Sequence, residues 1–293
     1  MTSITPIKKH LINVAGGELT VFQYGETTAK SMLAIHGITS NHLAWQHFAA
    51  HAVNSGYVVY APDLRGRAAS NKLLAPFGMK SHAADMHAVI EQLQLTKPFV
   101  IGHSMGGFVA IALNHFYPDL IGKLVLIDGG LPLALPAGMT VEQVLPLVLG
   151  PALARLAMKF ESTDAYVDYW RAHPAFADGI TPEMENYIRH DLVGVAPELM
   201  PSTNPDCVNE DSVDLWSSDL IDNALIELNQ DVILLRAVRG LQNEPTGLYP
   251  ELLLADLAAK YPKVEIITIT DTNHYSILMS DAGASAIRAQ IQL

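Results

Sequence analysis

The chain has 293 residues, of which 49% are hydrophobic and only 16% are charged. This composition excludes a mainly disordered chain, because disorder goes with low hydrophobicity and high charge, and the length allows one large α/β domain with an insertion or two small domains. Eighteen basic against thirty acidic side chains give a formal net charge of −12, which argues against nucleic-acid binding in a chain without a long basic run.

The cysteine content and the lengths of the apolar runs indicate where in the cell the protein is located. Cys207 is the only cysteine, so the chain forms no internal disulfide and no thiolate metal site. Residues 1–17 lack the apolar run of a signal peptide, and prolines interrupt the most apolar region, 131–157, so that no run long enough to span a membrane remains. We therefore expect a cytoplasmic protein that binds no membrane. The sequence is compatible with a homodimer.

The first 130 residues alternate short apolar runs with stretches of helical spacing. Alternation of apolar and polar residues predicts a half-exposed strand at residues 19–24, and apolar runs predict strands at 31–36, 57–61, 98–101 and 124–127. The helical spacing predicts helices at residues 43–54, 80–94 and 104–117. Strands that alternate with helices in this way indicate right-handed βαβ units and a mostly parallel sheet.

The strand pattern stops at about residue 131 and returns after residue 225. The segment between them has no convincing strand, and its predicted helices lie around residues 141–149, 152–160, 164–171 and 182–191. Further strands are predicted at 231–235 and 264–269, and helices at 249–260 and 281–291. We predict one α/β core domain, residues 1–130 and 226–293, with a helical insertion at residues 131–225, called the cap segment below.

The sequence around Ser104 carries the clearest chemical signal. Gly102-His103-Ser104-Met105-Gly106 matches G-x-S-x-G between a predicted strand and a predicted helix. Such a tight turn needs flanking glycines, because a Cβ there would collide with the backbone, and it presents the serine hydroxyl at the carboxyl end of the sheet, over the positive end of a helix. A phosphate-binding glycine turn is the competing interpretation, but no lysine follows as in a P-loop, and the glycine spacing does not fit dinucleotide binding.

A nucleophilic serine needs a general base, and His274 is the best placed of the twelve histidines. It follows the last predicted strand, so its loop leaves the parallel sheet at the same edge as Ser104. Five other histidines lie on helix-like stretches and are expected to be surface or core residues: His42, His47, His51, His82 and His87. We therefore predict that Ser104 and His274 meet at the edge of the sheet.

Together these motifs resemble the α/β-hydrolase fold family almost from end to end. In the family's strand numbering, the resemblance is carried by His36-Gly37-Ile38-Thr39 after the third strand (here 31–36) and Asp63-Leu64-Arg65-Gly66-Arg67 after the fourth (here 57–61). It is also carried by the turn at Ser104, by Leu126-Ile127-Asp128 after the sixth strand (here 124–127), and by the late His274. One departure is Ala68, because the family often has a further glycine there. The resemblance implies a mostly parallel eight-stranded sheet flanked by helices, an inserted helical cap, and a serine hydrolase.

The resemblance also implies roles for single residues. The oxyanion hole would use the backbone N–H groups of Met105, which follows the nucleophile, and of Ile38 in the loop after the third strand. Gly37 would let that loop approach the substrate carbonyl, and His36 is expected to support the loop by hydrogen bonds rather than to carry protons. The residues expected to border the substrate are His36, Gly37, His103 and Phe108.

The acid that orients His274 has two candidate positions. The usual site in the family follows the seventh strand, where Asn243 cannot carry the required charge and Glu244 lies one residue further on. The alternative site follows the sixth strand, where Asp128 is found. An aspartate there also commonly orders the loop. We predict Asp128 as the acid, with Glu244 as the alternative.

A serine nucleophile forms acyl-enzymes, so the expected reaction is acyl transfer to water or another acceptor. The apolar first part of the cap segment favours a small hydrophobic ester, lactone or thioester as substrate. Alternatives on the same residues are hydrolysis of a C–C bond, acyl transfer, perhydrolysis and cofactor-free oxygenation. No zinc-helix, EF-hand or nucleotide motif is present, so neither a metal nor a cofactor is expected. From outside the enzyme class, the alternative is a protein that keeps the fold and only binds a ligand.

Overall fold

The computed structural model describes residues 3–28, 30–135, 138–216 and 219–293. The strands in these ranges are β1 (Lys8–Val14), β2 (Gly17–Tyr24), β3 (Lys30–Ile35), β4 (Tyr57–Pro62), β5 (Phe99–His103), β6 (Leu124–Ile127), β7 (Leu192–Val193), β8 (Met200–Pro201), β9 (Val232–Arg239) and β10 (Val264–Asn273). The α-helices are α1 (Gln46–Asn54), α2 (Met79–Gln92), α3 (Met105–Phe116), α4 (Val141–Val148), α5 (Gly150–Leu156), α6 (Thr163–Arg171), α7 (Pro182–His190), α8 (Pro205–Trp216), α9 (Asp219–Ile226), α10 (Leu254–Lys260), α11 (Ser276–Met279) and α12 (Asp281–Ile291). Short 3₁₀ helices lie at His42–Trp45, Ala68–Ser70, Pro174–Phe176 and Glu251–Leu253.

Eight strands form one sheet in the order β1-β2-β4-β3-β5-β6-β9-β10. The pairs β1–β2 and β2–β4 are antiparallel, and every neighbouring pair from β4 to β10 is parallel. The predicted fold class, α/β with a mostly parallel eight-stranded sheet flanked by helices, is therefore confirmed. Because the central strands are parallel, their carboxyl ends share one edge of the sheet, and the loops that leave this edge can meet.

The central strands are buried on both faces, which explains why they read as continuous apolar runs. Along β3, Leu33 and Ile35 belong to one hydrophobic core, and Met32 and Ala34 belong to the other. Helices α2, α3 and α9 contribute to the first core, and α1, α6, α7 and α12 contribute to the second. The alternation of side chains along a strand thus builds two cores, one on each side of the sheet.

The structure differs from the sequence prediction at the edge of the sheet and in the cap segment. Strand β1 was not predicted, because it lies at the sheet edge and Ile12 is its one fully buried residue. The expectation of no strand between residues 131 and 225 is wrong in one detail, since β7 and β8 form a two-residue antiparallel pair. Helices α8 and α9 also lie there without having been predicted.

Within the described ranges, the stretch between β6 and β9 consists mainly of helices α4 to α9. Residues 136–137 and 217–218 of the cap segment lie outside those ranges. The division into core and cap at residues 130/131 and 225/226 stays a prediction, as do the cytoplasmic location and the homodimer. No helix in the described part of the chain is both long enough and apolar enough to cross a membrane.

Carboxylates of α8 hold the cap segment against the start of α2. Three backbone N–H groups donate to them at 2.6–3.1 Å: Phe77 to Glu210, Gly78 to Asp211 and Met79 to Asp214. The first N–H groups of a helix have no partner within the helix, and its N-terminus is the positive end of the helix dipole. The acidic face of α8 therefore fits the N-terminus of α2.

Candidate active site

Ser104 lies on the turn between β5 and α3. Its backbone has φ 55° and ψ −126°, a conformation that residues with a side chain rarely adopt. A Cβ on Gly102 would lie 2.1 Å from the carbonyl oxygen of Gly106, and a Cβ on Gly106 would lie 2.1 Å from that of Ile35. Both positions therefore require glycine. The turn leaves the Ser104 side chain partly exposed at the carboxyl edge of the sheet.

His274 and Asp128 form a buried pair at the same edge. His274 Nδ1 lies 2.7 Å from Asp128 Oδ2, and Asp128 Oδ1 accepts a hydrogen bond from the Ala237 N–H at 3.0 Å. Because Asp128 occupies Nδ1, Nε2 is the ring nitrogen left for proton transfer. Ser104 and His274 line one cleft. Within the described ranges no hydrogen bond joins them, and such contacts often tighten only in the complex with substrate.

Glu244 lies apart from this pair. Its side chain is exposed, and its Oε2 accepts a hydrogen bond from the Gln242 N–H at 2.8 Å. Asn243, the preceding residue, accepts a hydrogen bond from the side chain of Asn273 at 3.2 Å. Of the two candidate acids, the structure thus brings Asp128 to His274 and leaves Glu244 in its own loop.

The loop after β3 comes close to the turn at Ser104. A Cβ on Gly37 would lie 3.1 Å from Ser104 Cβ and 3.4 Å from its Oγ. The N–H of Ile38, in this loop, and that of Met105, the first residue of α3, donate to no protein group in the described part of the chain. Two backbone N–H groups near Ser104 are therefore available to a bound oxygen.

Arg67 supports this loop from the buried side. Its Nε donates to the carbonyl oxygen of Ile38 at 2.9 Å, and its Nη2 forms an ion pair with Asp211 Oδ2 at 2.6 Å, both side chains being fully buried. Burial acts to raise the pKa of Asp211, but the neighbouring His82 and Arg67 hold it below its ordinary value. Helix α8 of the cap segment is thus connected through Arg67 to the loop after β3, a connection that no sequence motif indicated.

His36 links two loops of the core. Its Nε2 accepts a hydrogen bond from the Leu64 N–H at 3.0 Å, so its Nδ1 carries the proton and donates to the carbonyl oxygen of Gly37 at 2.8 Å. Burial lowers its pKa to about 4, so the ring is neutral at neutral pH. His36 and Phe108 lie outside the lining of the cleft, whereas Gly37 and His103 belong to it. Phe108, a residue of α3, packs instead in the hydrophobic core.

Lowering the pH from 6.5 towards 4 is expected to destabilise the protein through His36. In this window the unfolded chain binds a proton that the folded state does not, because burial lowers the pKa of folded His36 to about 4. This residue alone should reduce the free energy of unfolding by up to about 1.4 kcal/mol per pH unit. Urea unfolding at pH 7 and pH 5 measures the effect.

The variant His36→Gln keeps a donor and an acceptor but does not titrate, so its stability should fall less steeply with pH. The matched control is His115→Gln, which changes a partly exposed histidine near the end of α3 and should keep the wild-type slope. Equal slopes in wild type and His36→Gln would contradict the assignment.

His103 connects the turn at Ser104 to the loop that carries His274. Its Nε2–H donates to the backbone carbonyl oxygen of His274 at 2.9 Å. Burial lowers the pKa of His103 well below its ordinary value, so the ring stays neutral and keeps this single donor. The contact fixes the loop that carries His274 relative to Ser104.

The cleft that contains Ser104 lies between the cap segment and the carboxyl edge of the sheet. Its lining is mostly apolar and comes from both parts of the chain: Leu133, Val148, Leu149, Ala152, Leu215 and Trp216 from the cap segment, and Ala44, Leu241, Leu248 and Met279 from the core. Lysine, arginine, aspartate and glutamate are absent from this lining as far as the chain is described.

Among the described residues one cluster has ligands for a metal ion. Asp63 lies 2.9 Å from His42 Nδ1 and 3.5 Å from His190 Nε2. Both carboxylate oxygens of Asp63 already accept backbone hydrogen bonds, from His42 and from Ala69. The polar groups are therefore satisfied without an ion, and the cluster connects the loop after β4 with the end of α7.

Known proteins give the same picture of the fold. The family model for the alpha/beta hydrolase fold matches residues 30–178, just over half of the chain. The Homo sapiens protein ABHD8 is 37% identical over 103 residues, and this stretch covers 34% of the chain but only 24% of ABHD8. Lipase LipV of Mycobacterium tuberculosis is 31% identical over 157 residues, 52% of the chain and 57% of the lipase.

The chain thus matches about a quarter of the length of its ABHD8 relatives. Among solved structures, E-2-(acetamidomethylene)succinate hydrolase has a TM-score of 0.78 to the chain at 20% sequence identity. The superposition covers 98% of this chain and 99% of that one. At this identity the likeness concerns the fold alone.

Proposed function

The chain belongs to the α/β-hydrolase fold family, and we propose that it is a cofactor-independent serine hydrolase. Its substrate would be a carboxylic ester, a lactone or a thioester of a small hydrophobic molecule. The observation that carries the proposal is the strained turn that places Ser104 in one cleft with His274, whose Nδ1 lies 2.7 Å from Asp128. The name of the relative Lipase LipV supports an ester as substrate.

In the first half of the proposed reaction, Ser104 Oγ attacks the carbonyl carbon of the ester while His274 Nε2 takes the hydroxyl proton. Asp128 holds the proton on Nδ1 and stabilises the positive ring. The oxyanion of the tetrahedral intermediate accepts hydrogen bonds from the N–H groups of Ile38 and Met105, each worth about 3–4 kcal/mol by mutational precedent. The intermediate then collapses, the alkoxide or thiolate leaves with the proton from His274, and an acyl group stays on Ser104.

In the second half, water replaces the alcohol. His274 Nε2 takes a proton from the water, whose oxygen attacks the acyl carbon, and the same N–H groups bind the second oxyanion. The bond between the acyl carbon and Ser104 Oγ then breaks, and His274 returns the proton to the serine. The product acid leaves and the enzyme is restored.

The lining of the cleft supports an uncharged, mainly apolar substrate. Desolvating a charged group without an opposite charge is costly, and the described lining offers none apart from the histidines. Hydrolysis of a C–C bond, acyl transfer and perhydrolysis would use the same three side chains and differ in substrate or acceptor. A ligand-binding protein without catalysis is the alternative that the following experiment distinguishes.

A fluorophosphonate probe is expected to label wild-type protein once, as detected by intact mass. The phosphorus atom is attacked by an activated serine, so Ser104→Ala should gain no adduct and His274→Ala should be labelled far more slowly. Ser55→Ala, which changes a partly exposed serine at the end of α1, is the control and should be labelled like wild type. Absence of an adduct on the wild-type protein would contradict the proposal and favour a ligand-binding protein.

A further inference from the structure

The cleft beside Ser104 continues into a second lobe with a different lining. Both lobes share the residues Thr39, Val148, Ala152, Leu241 and Tyr275, so they are contiguous. The second lobe adds Pro151, Arg155, Tyr169, Trp170, His173 and Gln242. It is called the Arg155 lobe below. Most of the side chains that it adds are polar or aromatic, whereas the first lobe is mostly apolar.

Arg155 is fixed on one side and unsatisfied on the other. Its Nη1 lies 2.6 Å from Asp191 Oδ2, and its guanidinium carbon lies 5.0 Å from the centre of the Trp170 ring. Its Nη2 is buried and has no hydrogen-bond partner in the described part of the chain. Buried donors are nearly always paired, and an unpaired charged donor is especially unfavourable. An acceptor from a bound molecule would remove this deficit.

The charges around the lobe favour a neutral acceptor. Asp191 compensates the charge of Arg155, and burial is the main cause that lowers the pKa of His173, so this ring is neutral at neutral pH. The exposed Glu244 is near enough to act electrostatically on His173. The surroundings thus carry no net positive charge for a carboxylate, while a carbonyl oxygen can still accept from Arg155.

Tyr275 adds a hydroxyl at the junction of the two lobes. It follows His274 in the chain, and its hydroxyl forms no hydrogen bond with the described residues. Tyr275 is half-buried, and its hydroxyl can donate to or accept from a group bound at this junction. Polar groups that could bind one oxygen-bearing group therefore extend from the neighbourhood of the candidate base to Arg155.

We propose that the Arg155 lobe is a subsite for an uncharged, oxygen-bearing group of the substrate, such as a ketone or amide carbonyl. The Arg155 Nη2–H donates to this oxygen, while the apolar lobe holds the hydrocarbon part of the molecule. The substrate class is then an ester with a second, neutral carbonyl group at a distance from the bond that is cleaved. This inference rests on the proposed function of Ser104.

The test compares p-nitrophenyl esters of about five to eight carbons that end in a methyl ketone, in an alkyl group or in a carboxylate. At the best chain length, kcat/KM for the ketone ester should exceed that for the alkyl ester about 10- to 100-fold, the range expected for a hydrogen bond to a charged donor. Rates in Ser104→Ala give the background hydrolysis of each ester.

Arg155→Lys should abolish the preference for the ketone. Lysine keeps the positive charge beside Asp191 but lacks the second nitrogen of the guanidinium fork. The matched control is Arg171→Lys on the exposed surface of α6, which should keep the preference. Thermal unfolding shows whether Arg155→Lys folds. If it does not, Tyr275→Phe replaces it, and this variant should weaken the preference several-fold.

Equal kcat/KM for ketone and alkyl esters at every length would overturn the subsite, and a preference for the carboxylate ester would overturn its neutral character. If the proposed hydrolase function itself is wrong, no ester is hydrolysed and no fluorophosphonate adduct forms, so this result can be told apart from failure of the subsite. In that case calorimetry with a methyl ketone tests the lobe separately. Equal affinities of wild type and Arg155→Lys would overturn the subsite, and weaker binding by the variant supports it.

Discussion

Replacing Asp128 with asparagine is expected to lower kcat about 10⁴-fold, as loss of the equivalent charge does in serine proteases. Asp128 Oδ2 lies 2.7 Å from His274 Nδ1 and is fully buried, so its charge acts on the ring with little screening. An amide cannot stabilise the imidazolium and favours the wrong tautomer of His274. Steady-state kinetics on an activated ester measures the loss.

The companion variant is Glu244→Gln, which should change kcat by less than about threefold, because its carboxylate lies in its own loop, paired with the Gln242 N–H. Asparagine at position 128 can still accept the hydrogen bond that Asp128 Oδ1 receives from Ala237, so the fold should survive, and near-UV circular dichroism checks this. Near-normal turnover in Asp128→Asn, or a loss of thousands-fold in Glu244→Gln, would show that Glu244 and not Asp128 is the acid that orients His274.

The choice between these two acids shows where sequence reasoning ends. Asp128 and Glu244 both follow strands whose carboxyl ends meet at one edge of the sheet, so topology brings both near His274. What separates them is the course of each loop. Asp128 has φ 43°, directly after β6, whereas Glu244 folds back onto Gln242. Neither conformation can be inferred from the order of residues alone.

Features that depend on local pattern could be predicted. The central strands are continuous apolar runs, and the turn at Ser104 needs glycines at fixed spacing, so both are visible in short stretches of sequence. The parallel order of the strands predicts that His274 and Ser104 lie at the same edge of the sheet, and both line one cleft. His36 is expected to support its loop, and its hydrogen bonds to Gly37 in that loop and to Leu64 in the loop after β4 have that form.

Helix α8 could not be predicted, because its pattern depends on a partner far away in sequence. Asp211 and Ser212 are fully buried and interrupt the apolar stripe by which an amphipathic helix is recognised. Their burial becomes intelligible only when the N-terminus of α2 and the side chain of Arg67 are in place. The same holds for Arg155, whose burial depends on Asp191.

Replacing Gly106 with alanine is expected to cost more than about 4 kcal/mol in free energy of unfolding, beyond the range of most single substitutions. Gly106 is the second residue of α3, where alanine would ordinarily stabilise a helix by about 1 kcal/mol. Here its Cβ would lie 2.1 Å from the carbonyl oxygen of Ile35 and 2.7 Å from that of His36. Both atoms belong to the backbone, so neither can move aside as a flexible side chain would.

The melting temperature measures this cost, and a fall of about 10 °C or more is expected for a domain of this size. The control is Gly150→Ala at the start of α5, where a Cβ would have no atom within 4 Å. That variant should melt at or slightly above the wild-type temperature. If Gly106→Ala folds at all, the shift it forces on the loop at Gly37 should also slow labelling of Ser104. A melting temperature equal to that of wild type would show that α3 does not pack this closely against β3.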